Sequence, residues 1–186
     1  AKQVSLTELG SIKINKEERT KMLKAIPRNS VIGFLIGVLP GAGATIASFL
    51  AYGMERNFVS DEEKEKFGKG SVHGLTAPET ANNAACSGAF VPLLTLGIPG
   101  SGTTAVMLGA LLGFGIQPGP RLYITNPEIF WSVIMSMYIG MVVLLILNLP
   151  LIPYIARILA VPKNYLIPLI LFFSITGIYV MSFNNF

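Results

Sequence analysis

The sequence has few of the residues that build metal and redox centres. Its 186 residues hold one cysteine, Cys86, and one histidine, His73, so no internal disulfide, CxxC pair or His-rich cluster can form. Charge is scarce too: 13% of the residues are charged, against roughly 25% in an average soluble domain, while 52% are hydrophobic. Intrinsic disorder is excluded, because it needs low hydrophobicity and high charge. A sustained G-X-Y period or heptad repeat is absent, which removes collagen and coiled coil. An all-α integral membrane protein remains. The polar stretch after Ala1 has no signal-peptide core, so we expect a processed chain or a piece of a longer one.

The net charge of +4 sits at one end, since residues 1–28 carry seven Lys/Arg against three Glu. A basic stretch abutting an apolar span obeys the positive-inside rule and predicts a cytoplasmic N-terminus. We expect a cytoplasmic or interfacial basic segment over 1–29 and a membrane domain over 30–186, with a polar connection at 55–75. A nucleic-acid partner is not expected, because the basic stretch lacks aromatic residues for base stacking.

Apolar segments at 31–54, 84–116, 128–149 and 165–183 are long enough to span a bilayer core, which takes about 20 residues. Two of them are interrupted, by Gly37-Val38-Leu39-Pro40-Gly41-Ala42-Gly43 and by Gly97-Ile98-Pro99-Gly100-Ser101-Gly102. Proline lacks the N–H that bonds back one turn, and the glycines favour loop geometry. Each site is therefore predicted to be a helix break or hairpin tip at membrane depth, where irregular backbone survives only inside protein or a wet cavity. The two breaks lie roughly 60 residues apart and form a weak internal echo.

Between them, Ser60-Asp61-Glu62-Glu63 reads as a capping box opening a short charged helix that ends near Gly68 or Gly70. Thr76-Ala77-Pro78-Glu79 reads as a second start, with Thr76 as N-cap, placing Glu79, Asn82 and Asn83 on one helix face. Asn126-Pro127-Glu128 is a third, with Pro127 at the first helical position, and Pro150 and Pro153 are expected to end that helix. A last span runs from Tyr165 to Phe183.

Paired Gly/Pro interruptions are the best sequence pointer to a transporter's binding site. The helix N-termini after the breaks present unpaired N–H groups and a positive dipole end to an anion. The expected substrate-binding set is Gly41, Gly43, Ala44, Thr45, Asn82, Asn83, Pro99, Gly100, Ser101, Gly102 and Thr103. A coupling cation is expected near Pro40, Asn82, Asn83 and Thr104. The alternative at each break is a simple kink in a packed helix, and for Glu79 it is a cap on its own helix.

The remaining candidates are weaker. Arg121 reads as an interfacial arginine, His73 as a loop residue and Cys86 as a small packing residue. Trp131, Tyr123, Tyr138, Tyr154 and Tyr165 read as interface anchors and packing. Gly68-Lys69-Gly70-Ser71 fails as a phosphate loop because Glu63 stands where its first glycine belongs, and Ile46 breaks a dinucleotide fingerprint after Gly41-Ala42-Gly43. An intramembrane enzyme would need a nucleophile with a base, and no GxSxG string occurs. No catalytic residue, resident metal or cofactor is expected.

The strings from Gly37 to Arg56, from Phe67 to Leu112 and from Gly115 to Leu122 resemble the large membrane subunit of the tripartite tricarboxylate transporters, the TctA family. The combination of Ala77-Pro78-Glu79, Asn82-Asn83 and Leu96-Gly97-Ile98-Pro99-Gly100-Ser101 carries the specificity. The resemblance is to the C-terminal half of the family and implies the second half of an inverted-repeat, elevator-type secondary transporter with discontinuous helices, importing citrate or related carboxylates across a bacterial inner membrane with Na+ or H+. It further implies a small membrane subunit and a periplasmic solute-binding protein as partners, and a scaffold that forms a homo-oligomer contact such as a dimer. A channel, or a structural subunit without coupled transport, is the competing expectation.

Overall fold

A computed structural model describes residues 14–156 and 163–182. Every regular element among these residues is helical: α1 (Lys16–Val38), α2 (Gly43–Phe58), α3 (Asp61–Lys64), α4 (Val72–Gly88), α5 (Phe90–Leu96), α6 (Gly102–Gly113), α7 (Leu122–Thr125), α8 (Pro127–Ala156) and α9 (Lys163–Met181). Their order follows the Pro/Gly punctuation closely. The chain divides into two units, whose described parts are 14–138 and 139–156 with 163–182.

In the first unit α1, α2 and α4 pack around small residues. Ala47 and Ala51 of α2 and Ala81 and Ala85 of α4 form the buried core. Gly33 and Gly37 of α1 lie against Ala81 and Ala85, so closely that a Cβ on either glycine would collide with the alanine backbone. These small-xxx-small pairs let the helix backbones approach, which is how helices associate where water supplies no hydrophobic drive. The contacts advance in step along α1 and α4, so those helices run parallel. Glu55 near the end of α2 pairs back to Arg28 and Asn29, so α1 and α2 form an antiparallel hairpin.

Both interrupted segments break at their prolines. Residues 39–42 separate α1 from α2, with Gly41 at φ 84° and Gly43 at φ 68°, left-handed values that only glycine adopts without strain. At the second break Gly97 (φ 71°) caps α5, and its Ile98 N–H reaches the Pro92 carbonyl at 3.2 Å. A Cβ on Gly97 would stand 2.8 Å from the Pro118 carbonyl oxygen, and Gly119 N–H donates to Leu94 at 3.2 Å. The 115–122 turn is thereby folded onto α5.

Three local expectations are corrected. α4 begins a turn earlier than Thr76: Ser71 is its N-cap, accepting from Gly74 N–H, and Thr76 and Pro78 lie inside the helix. α3 has only four residues, Ser60 makes no side-chain cap, and the Glu63 carboxylate that would complete a capping box is held instead by Lys21 and Lys66. α8 starts at Pro127 as expected but continues through Pro150 and Pro153 to Ala156. Proline is tolerated in such strongly apolar helices, where an unravelled backbone would leave more groups unsatisfied.

Among the described residues one helix is long and apolar enough to cross a bilayer, Pro127–Ile152, and almost none of it is buried within the chain. The apolar stretch Asn164–Val180 of α9 is shorter, and all of it but the half-buried Leu166 is exposed. Of the last expected span, Phe183 lies outside the described residues.

Candidate functional site

The two breaks meet. A cavity of about 700 Å³ is lined by Gly41, Gly43, Ala44 and Thr45 from the first tip and by Pro99, Gly100, Ser101, Gly102, Thr103, Thr104 and Ala105 from the second, with Cys86 and Phe90 between them. The tips converge because α1 ends beside the second break: a Cβ on Gly100 would lie 3.3 Å from the Ala89 side chain and 3.6 Å from the Gly37 carbonyl. No charged side chain lines this cavity, so its field comes from backbone and hydroxyl dipoles.

The two helix starts differ. At α6, Ser101 Oγ accepts from Thr104 N–H (3.2 Å), and Thr104 Oγ1 accepts from Ser101 N–H (2.8 Å) while donating to the Ser101 carbonyl (2.9 Å). This capping box occupies Thr104, which is 1% exposed, and leaves the N–H groups of Gly102 and Thr103 for a ligand. At α2 the capping position is Ala42, which supplies no side-chain acceptor. The first N–H groups of that helix, from Gly43 to Thr45, remain open. The hydroxyls of Thr45 and Thr103 make no hydrogen bond among the described residues. Two helix N-termini with free donors in one concavity form an anion-binding arrangement.

Pro40, Asn82 and Asn83 are not among the lining residues. Asn83 Nδ2 donates to its own helix at Glu79 O (2.8 Å), and Asn82 Nδ2 donates to Ser48 Oγ (3.2 Å), tying α4 to α2. Glu79 is exposed and well inside α4, so it does not cap that helix. Cys86, expected as packing, is exposed and faces the cavity. It stands one position past Ala85 on the helix, off the alanine face.

A polar cluster was not anticipated. Glu55, whose side chain is fully buried, receives Arg28 through Nη2 (2.6 Å) and Nε (3.0 Å) and Asn29 through Nδ2 (2.8 Å). His73 Nδ1 completes the set at 2.7 Å from Glu55 Oε1, and an ionised carboxylate only accepts, so Nδ1 carries the proton. His73 is thus a buried helical residue and not a loop residue. Burial pushes the Glu55 carboxyl up, but the hydrogen bonds from Arg28, Asn29 and His73 outweigh it and hold the group below its ordinary value. The Arg28 guanidinium also lies 4.3 Å above the Phe58 ring. The sequence signal for this cluster is an arginine and a glutamate flanking an apolar hairpin.

The sequence profile of the tripartite tricarboxylate transporter TctA family matches residues 1–186. An Agrobacterium vitis protein, described as an uncharacterized 52.8 kDa protein in the TAR-I ttuC' 3' region, is 39% identical over 185 residues, covering 100% of this chain and 36% of that protein. A second, described as an uncharacterized protein in the TAR-II ttuC' 3' region of the same organism, is 44% identical over 154 residues, covering 83% of this chain and 63% of that protein. The chain therefore spans less than two thirds of each relative's length. No solved structure gives a significant match.

Proposed function

The chain belongs to the tripartite tricarboxylate transporter TctA family, and from that premise we propose that it forms part of a secondary active transporter importing citrate-like tricarboxylates or related carboxylates. The observation that carries this reading is the convergence of two proline-glycine tips, each opening a helix, on one cavity of about 700 Å³. Carboxylates are recognised there by backbone N–H groups at Gly43–Thr45 and Gly102–Thr103 and by the Thr45 and Thr103 hydroxyls. With no lysine or arginine in the lining, affinity is moderate and release is easy, as transport requires.

The importer is multi-pass in a bacterial inner membrane, its basic N-terminal segment cytoplasmic, and it works with a small membrane subunit and a periplasmic solute-binding protein. The bare apolar surfaces of α8 and α9 suit lipid, the small subunit or a second copy of the chain. The coupling ion is Na+ or H+. Of the expected cation set, Thr104 lines the cavity with its hydroxyl engaged in the α6 capping box, and Asn82 Oδ1 accepts from the thiol of Cys86, a cavity residue, at 4.0 Å.

Uptake of labelled citrate and dicarboxylates into proteoliposomes holding the full-length transporter tests this reading, with and without the binding protein and a Na+ gradient. Saturable uptake that needs the binding protein and a cation gradient is expected, and Ser101→Pro, which removes the hydroxyl cap and its N–H, is expected to cut it at least about tenfold. Non-saturating flux indifferent to any gradient would point to a channel. Wild-type uptake in Ser101→Pro would remove the second tip from the site.

A further inference from the structure

A second cavity, of about 670 Å³, lies at the other end of the α1–α2–α4 bundle, where Lys16, Lys24 and Arg28 of α1 face the start of the polar connection. His73 on its wall lies thirteen positions along α4 from Cys86 at the tips, roughly 20 Å at helical rise. It plays no part in the carboxylate site.

Its charges do not cancel. Lys21 is held between Glu17 (2.7 Å) and Glu63 (3.0 Å), Glu63 also takes Lys66 (2.8 Å), and Arg28 is matched by Glu55. Lys16 and Lys24 have no carboxylate partner among the described residues, and Arg28 retains guanidinium N–H groups beyond the two spent on Glu55. The cavity thus holds a surplus of positive charge with donors to spare.

The same wall is partly apolar. Phe58 and Val59 line the cavity beside the cations, and Phe58 is 57% exposed. Along α1 the cavity face runs through Lys21, Lys24 and Arg28, and the same spacing of three and four continues it to Val31 and Leu35. Those two are 60% and 61% exposed. One continuous helix face therefore passes from cationic donors to bare aliphatic surface.

A charged head joined to an apolar tail fits that face, whereas a small free anion would leave Phe58, Val31 and Leu35 uncovered. We infer that the cavity seats the phosphate headgroup of an anionic phospholipid among Lys16, Lys24 and Arg28, with an acyl chain lying along Val31 and Leu35. Basic pockets beside membrane helices take anionic headgroups by the same electrostatics.

The test uses the full-length protein in detergent with three probes: phosphatidylglycerol, phosphatidylcholine and inorganic phosphate. Bound lipid per protein is measured by native mass spectrometry, and thermal stabilisation is followed in parallel. Phosphatidylglycerol is expected to be retained and to raise the melting temperature, phosphatidylcholine to do neither, and Lys16→Gln/Lys24→Gln to weaken phosphatidylglycerol binding roughly tenfold or more. Both lysines are exposed and make no ion pair among the described residues, so the variant keeps its fold, and Val31→Ser/Leu35→Ser should lower lipid retention without touching a charge. Equal phosphatidylglycerol retention by wild type and the lysine variant would overturn the assignment. So would inorganic phosphate that stabilises as strongly as the lipid, which would make the site one for a free anion.

Discussion

Glu55 shows how one buried side chain orders three helices. Its two oxygens take four hydrogen bonds, from Arg28, Asn29 and His73, so α1, α2 and α4 are pinned together at the end away from the tips. Removing one member of a buried pair is costly because the other charge is left uncompensated, about 3–5 kcal/mol. Arg28 keeps 32% of its side chain exposed, so Glu55→Ala is expected at the low end, about 3 kcal/mol, read as a fall in unfolding midpoint in detergent. The pH dependence has a definite sign. Since the folded-state pKa of Glu55 lies below its unfolded value, the cluster's contribution is complete above that unfolded value, ordinarily 4.5, and is lost as pH falls through the lower native one. Wild type should therefore lose stability more steeply than Glu55→Ala as the pH is lowered through that window. Parallel acid profiles would show that Glu55 is not charged and paired in the native state.

At the scale of elements, the bundle depends on backbones brought together by small residues. A Cβ at Gly33 or Gly37 meets the backbone of Ala81 or Ala85, and backbone cannot move aside as a flexible side chain would. Gly37→Val is accordingly expected to separate α1 from α4 and cost about 3 kcal/mol. The readout is faster proteolysis within α1 and a lowered midpoint, while Gly53→Ala, whose Cβ meets nothing within 4 Å, stays near wild type. Unchanged proteolysis in Gly37→Val would refute the close α1–α4 crossing.

The legible elements were those whose backbone is dictated locally. Pro40, Pro99 and Pro127 fixed two breaks and a helix start, because a missing N–H acts wherever the chain goes. Thr76 misled since the true start depends on Ser71 finding Gly74 N–H, one of two nearby capping options. Pro150 and Pro153 misled because they stop helices in water more effectively than in apolar surroundings. His73 and Glu55 lie 18 residues apart, on helices whose packing had to be known first. The tips were visible as strings, but their meeting, and the place of Cys86 and Phe90 between them, is tertiary.

At the scale of the whole molecule, the first unit divides its labour between its ends. One end gathers uncharged tips with open N–H groups, and the other gathers buried and exposed charge. On the proposed reading this division lets backbone dipoles bind the anion at one end while the ion pairs hold the helices at the other. Cys86, the sole thiol in the sequence, stands on the wall between the tips, so it reports on their cavity directly. The decisive measurement is the rate of Cys86 alkylation by a small maleimide in the full-length transporter, with any other thiol replaced, as carboxylate is titrated. Citrate or the transported carboxylate should slow the reaction at least about fivefold, with half-protection at its transport KM, while a non-substrate monocarboxylate leaves the rate unchanged. A rate indifferent to saturating substrate would contradict the claim that the two tips enclose the carboxylate.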